Sequence, residues 1–72
     1  NNFMKRLHAR HPDLSDSERM MCAYLKMNLS TKEIAPLLNI SVRGVETIRY
    51  RLRKKFGLER EDSLTDYLNN KL

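Results

Sequence analysis

The chain has 72 residues, a hydrophobic fraction of 40%, a charged fraction of 32% and a formal net charge of +5. That length allows one domain and buries only about 60% of the unfolded chain's surface, so a compact core fits and a large catalytic cleft is hard to build. Two glycines, two prolines, one cysteine and no apolar run near the ~20 residues of a membrane span argue against a turn-rich β architecture, an internal disulfide and a transmembrane helix.

The pattern reads as helices throughout. The first covers about residues 2–10, where Phe3 and Leu7 lie four apart among Lys5, Arg6 and Arg10. His11-Pro12-Asp13 breaks it. The chain starts with Asn and shows no signal-peptide pattern, as expected of a piece of a longer protein. His8 and His11 have no further Cys or His at ligand spacing, so no metal and no cofactor is expected.

The second helix, residues 16–27, begins at a capping box. Ser15 caps, Glu18 follows three residues later, and Leu14 precedes the cap as a staple. Met21, Tyr24, Leu25 and Cys22 form its inward face, and Asn28 suits a left-handed stop. Cys22, among apolar neighbours, reads as a small buried hydrophobe in a reducing, intracellular protein.

A second capping box, Ser30-Thr31-Lys32-Glu33, opens the third helix. Ile34, Leu37 and Leu38 supply its apolar face. Pro36, at the sixth helical position, lacks an N–H and crowds the Lys32 carbonyl, so the helix is either bent there or starts later than its caps suggest. Asn39 is suited to the left-handed turn.

The fourth helix runs from the cap Ser41 to Phe56, with Gly57 as its stop. Val45, Ile48, Leu52 and Phe56 fall on one stripe, and Arg43, Thr47, Tyr50 and Lys54 on the opposite one. Glu46, Arg49 and Arg53 form one flank and Arg51 the other. Residues 41–57 hold Arg43, Arg49, Arg51, Arg53, Lys54 and Lys55 against one acid, Glu46, and so carry a charge equal to that of the whole chain. The fifth helix is expected to start near Asp62, an acidic cap, to bury Leu64, Tyr67 and Leu68 and to end near Asn70. The expected fold is all-α: a small bundle of four core helices plus a short N-terminal helix. The expected organisation is a short helix and connector over 1–13 and a helix-turn-helix domain over 14–72.

Helix three, the turn Asn39-Ile40-Ser41 and helix four make a helix-turn-helix pattern. In such a unit the first helix crosses the phosphate backbone and the second enters the major groove, which admits one α-helix. The N-terminal part of helix four then reaches base edges, and its flanking arginines meet phosphates.

The most specific segment is LSTKEIAPLLNIS, at residues 29–41. Together with Leu14-Ser15 and Glu18, Val45 and Leu52, and Lys54-Lys55-Phe56-Gly57-Leu58, it resembles the DNA-binding domain of LuxR-type (GerE-like) bacterial transcription regulators over about residues 14–70. Cys22-Ala23-Tyr24-Leu25, TKEIAPLLNISVRGVE and RYRLRKKFGL look closest to the C-terminal output domain of large sensor-regulators with a β-propeller-type sensing region. The resemblance implies sequence-specific binding of double-stranded DNA, with helix 42–56 in the major groove. It also implies a role in signal transduction, attachment to an N-terminal sensor region outside this chain, and a cytoplasmic location, free or as the cytoplasmic end of a membrane-anchored regulator.

Position by position, the resemblance implies phosphate contacts at Thr31 and Lys32, where free backbone donors and a cation gather. It implies base reading at Glu46, Thr47 and Tyr50. Arg43, Arg49, Arg51, Arg53 and Lys54 become backbone clamps, with an arginine reading guanine where it is bidentate; Arg43, near the N-terminal end, is grouped with the readers. The last helix often forms the dimer contact in the family, which makes Thr65, Asp66, Tyr67 and Asn69 candidates for a homodimer. Two positions depart from the family pattern: Gly44, usually Thr or Ser, and Ile48, often His.

Several of these residues also have plainer roles. Glu46 can pair with Arg43, Arg49 or Arg53 and orient them, or accept from a cytosine amino group. Tyr24 and Tyr67 suit core or helix contacts, and Tyr50 could be no more than an exposed ring. A membrane-surface helix needs a broad face of large hydrophobes, and RNA modules offer aromatics for stacking; the basic face here carries only Tyr50. A protein-interaction or dimerisation module built on the last helix is the other alternative. No nucleophile–base pair, metal set or phosphate loop points to an enzyme.

Overall fold

The computed structural model describes residues 2–72 and is helical, with no strand among the described residues. Its elements are α1 (Phe3–Arg10), α2 (Asp16–Lys26), α3 (Thr31–Leu38), α4 (Val42–Phe56) and α5 (Leu64–Asn70). α2 is the central helix and packs against all four others. One core joins Phe3 and Leu7 of α1, Met21, Cys22 and Leu25 of α2, Ile34 and Ala35 of α3, Val45, Ile48 and Leu52 of α4, and Leu64 and Leu68 of α5. Leu14, the staple before α2, is buried with them. The short first helix therefore contributes two full side chains to the shared core.

Local chemistry sets the helix ends. Both capping boxes form: Ser15 Oγ accepts from the Glu18 N–H while Glu18 Oε1 accepts from the Ser15 N–H, and Ser30 and Glu33 do the same. Asn28 and Asn39 adopt left-handed backbone at φ 64° and 58°, as the stop signals require. α3 starts at its capping box despite Pro36, so the later start is excluded. Cys22 is fully buried, and burial, with the nearby Glu18 charge, pushes its thiol up to about 12, which keeps it an inert hydrophobe.

Three expectations are corrected. In α3 it is Ala35, 5% exposed, that packs inward, whereas Leu37 is 54% exposed. Ile34-x-x-Leu37-Leu38 and Ile34-Ala35-x-x-Leu38 are equally good helical stripes, and the rotation of α3 in the bundle selects the second. The cap of α5 is Ser63, whose Oγ accepts from the Asp66 N–H at 3.1 Å. Asp62 instead closes the preceding turn, its Oδ2 accepting from the Glu59 N–H at 2.8 Å. α2 ends one residue early, at Lys26, with Met27 as its C-cap and left-handed Asn28 turning the chain off the helix axis.

Two contacts fasten the end of α4 to the connector before α2. The His11 ring packs on Phe56 at 4.4 Å between centroids, its Nε2 is hydrogen-bonded to the Tyr67 OH at 2.8 Å, and Tyr67 stacks on Phe56 at 4.6 Å. Lys55 Nζ donates to Glu18 Oε1 at 2.8 Å and to the Asp13 carbonyl at 3.2 Å. The Glu18 side chain is only 6% exposed. Burial pushes its carboxyl up, but the Lys55 ammonium, the Ser15 N–H and the Ser15 hydroxyl outweigh that, and its pKa lies below the ordinary value of 4.5.

Because folding lowers the Glu18 pKa, the unfolded chain binds the extra proton as the medium acidifies. The stabilisation is full at neutral pH and declines as pH falls below 4.5 and through the depressed folded value. Thermal melts of the wild type and Glu18→Gln at stepped pH should show a gap at neutral pH that closes on acidification. At Gly44, an added Cβ would meet Ile40 Cβ and Cδ1 at 3.4 Å and Ser41 Oγ at 3.5 Å, which is ordinary contact. Gly44→Ala should therefore stabilise the domain by about 0.5–1 kcal/mol, read as a rise of a few degrees in Tm.

Candidate nucleic-acid interface

The helix-turn-helix geometry follows from the packing of α3 on α4. Val45, Ile48 and Leu52 are buried, which fixes the rotation of α4 about its axis. Ser41 Oγ accepts from the Gly44 N–H at 3.0 Å and starts the helix. Gly57, at φ 71°, ends it, with its N–H on the Lys54 carbonyl at 3.2 Å and the Leu58 N–H on the Arg53 carbonyl at 2.9 Å. Between the helices, left-handed Asn39 turns the chain and the Ile40 N–H returns to the Ala35 carbonyl at 3.0 Å.

With the apolar stripe buried, Arg43, Glu46, Thr47 and Tyr50 are exposed together on the outer side of α4. Thr47 Oγ1 donates to the Arg43 carbonyl at 3.1 Å, which leaves its methyl and the oxygen lone pairs outward. Tyr50 is 59% exposed, with Lys54 Nζ 5.2 Å from its ring centroid. Among the described residues Glu46 forms no ion pair; its charge acts on Arg49 through space. Arg49 is half-buried: burial and the Arg53 charge press its pKa down, and Glu46 opposes them.

The expected phosphate contacts flank this face. Arg51 and Lys54 are exposed, and Arg53 is half-buried with its Nε donating to the Asp62 carbonyl at 3.3 Å. At the start of α3, Thr31 is half-buried and Lys32 exposed. The capping box takes up the Ser30 and Glu33 N–H groups, and the Thr31 and Lys32 N–H groups, in the first turn, have no intrahelical acceptor. That end of α3 presents two backbone donors and a cation.

Lys55 is the cation that does not belong to this surface. It turns inward to Glu18 and Asp13, so five of the six cations in 41–57 remain for a ligand. The sequence signal is ambiguous: Lys55 sits beside the core stripe, and the capping box alone accounts for Glu18. A cleft that the sequence did not reveal lies beside the second half of α4, lined by Glu46, Tyr50, Arg53, Lys54, Leu58, Glu59 and Arg60.

The dimer candidates on α5 differ in how far they are free. Asp66 is exposed and Thr65 half-buried. Asn69 accepts from Lys26 Nζ at 2.7 Å and donates to the Thr65 carbonyl at 3.0 Å. Tyr67 is half-buried and engaged by His11 and Phe56. Among the described residues no His, Cys, Asp and Glu group is arranged to hold a metal, and no helix is long and apolar enough to cross a membrane.

No curated protein and no solved structure matches the chain. A family model does, that of the bacterial regulatory proteins of the luxR family (GerE), over residues 12–68. The match covers α2, α3 and α4, ends within α5, and includes both helices and the turn of the helix-turn-helix. The chain is a member of the luxR (GerE) family of bacterial regulatory proteins, a family of helix-turn-helix DNA-binding regulators.

Proposed function

We propose that this domain binds double-stranded DNA sequence-specifically as the output module of a transcription regulator, with α4 in the major groove. The observation that carries this reading is the division of α4. Three apolar side chains anchor one side in the core, and Arg43, Glu46, Thr47 and Tyr50 stand exposed on the other. Thr47 offers a methyl to thymine and a hydroxyl to either base type, Glu46 an acceptor to cytosine, and Arg43 a bidentate donor to guanine. Arg49, Arg51, Arg53 and Lys54 serve phosphates along the groove walls, and Thr31 with Lys32 holds a phosphate at the start of α3. The resemblance to propeller-type sensor-regulators supports a sensor region N-terminal to this chain and a cytoplasmic setting. Homodimerisation is proposed through Thr65, Asp66 and Asn69 of α5, with Tyr67 contributing from its edge.

Selection of bound sequences from a random duplex pool tests the reading directly. A defined site, with half-site spacing if the domain pairs, is the expected result; equal binding of duplex DNA, duplex RNA and anionic vesicles at moderate salt would overturn it. On the selected site, log affinity should fall linearly with log salt, by about 0.9 per phosphate neutralised. Lys54→Ala should weaken all duplexes alike, whereas Thr47→Ala or Tyr50→Ala should reorder the preferred sequences by about 1–3 kcal/mol at the affected position.

A further inference from the structure

We infer that Arg60, outside the recognition helix, is a further DNA-phosphate contact, so that the backbone-binding surface continues from α4 onto the turn that follows it. The inference rests on the DNA-binding reading above. The turn is held on both sides. The Leu58 N–H bonds the Arg53 carbonyl at 2.9 Å, and the Asp62 N–H bonds the Glu59 carbonyl at 3.1 Å. Asp62 Oδ2 accepts from the Glu59 N–H, and the Asp62 carbonyl accepts from Arg53 Nε. Residues 59–62 thus form a closed turn tied to the flank of α4, with exposed Arg60 at its second position.

Arg60 sits among three acids, Glu59, Glu61 and Asp62, yet forms no ion pair among the described residues. The Asp62 carboxylate is occupied by a backbone N–H. Arg60 instead lines the cleft shared with Tyr50, Arg53 and Lys54, where three cations outnumber the carboxylates of Glu46 and Glu59. Arg53 spends one of its five donors on the turn and keeps four. An α-helix is about 10–12 Å across and the major groove about 12 Å wide, so a seated α4 fills the groove. A group fixed beyond the helix flank then lies over the sugar-phosphate wall and away from base edges. A phosphate oxygen, reached by Arg60 from the turn and by Arg53 or Lys54 from the helix, matches that position and charge.

Arg60→Ala and Lys54→Ala are compared with the wild type on one duplex over a salt series, with melts to confirm folding. Arg60→Ala should lower the magnitude of the salt slope by about 0.9 and weaken binding about three- to tenfold, without changing the ranking of sequences. Arg60→Lys should restore the slope. A duplex scanned with single neutral methylphosphonates should show one position that weakens the wild type and leaves Arg60→Ala unaffected. A full slope and unchanged scan in Arg60→Ala, with a reduced slope in Lys54→Ala, would overturn this inference and leave the DNA reading standing. A wild type whose duplex binding does not depend on salt would overturn both.

Discussion

The carboxylate of Glu18 is the joint on which this small bundle depends. It closes the capping box of the central helix and, in the same position, receives the Lys55 ammonium from the last turn of α4. A carboxylate that is 6% exposed must be fully partnered, and the Ser15 N–H and Lys55 do this. Lys55 also reaches the Asp13 carbonyl, so one ammonium gathers the connector, α2 and α4. Removing the ammonium leaves a buried charge short of a donor, at a cost of about 1.5–3 kcal/mol. The His11–Phe56–Tyr67 stack secures the same corner with apolar area and one hydrogen bond. Burial, the Arg10 charge and an opposing Asp13 leave the His11 ring with a lowered pKa, so its neutral form is favoured there.

That joint has a consequence at the other face of α4. Val45, Ile48 and Leu52 determine which side of the helix is buried, and Lys55 with Phe56 holds the C-terminal turn. The helix is anchored along its length by Val45, Ile48 and Leu52 and at its end by Lys55 and Phe56, and its first turn, capped by Ser41, leaves Val42 and Arg43 exposed. On the proposed reading this suits a recognition helix, whose first turns enter a groove while its axis stays still. The turn after Gly57 is tied to the same end through Arg53, whose Nε donates to the Asp62 carbonyl.

Most of the secondary structure was legible because it is encoded locally. Two Ser-x-x-Glu boxes, two asparagines and one glycine mark the ends of α2, α3 and α4, and each acts through hydrogen bonds to its own neighbours. Where two local readings were equally good, the local code did not decide. Asp62 and Ser63 are both competent caps, and the choice fell to Ser63 because Asp62 had a turn to close. Ala35 and Leu37 both complete a stripe with Ile34 and Leu38, and the packed bundle buries Ala35 and leaves Leu37 exposed.

By itself the sequence determined the helical class, the helix-turn-helix, the family and the outward cationic face of α4. The class, the helix-turn-helix and the cationic face follow from period, caps and charge, which are properties of neighbours along the chain, and the family follows from the resemblance carried by residues 29–41. Only the tertiary structure decided the rest. It removed Lys55 from the basic surface, paired Tyr67 with His11, drew α1 into the core and placed Arg60 beside Arg53 and Lys54. Each of those outcomes joins residues distant in sequence or set by a turn. A side chain's partner there depends on which helices lie alongside, and no spacing rule along a single chain specifies that.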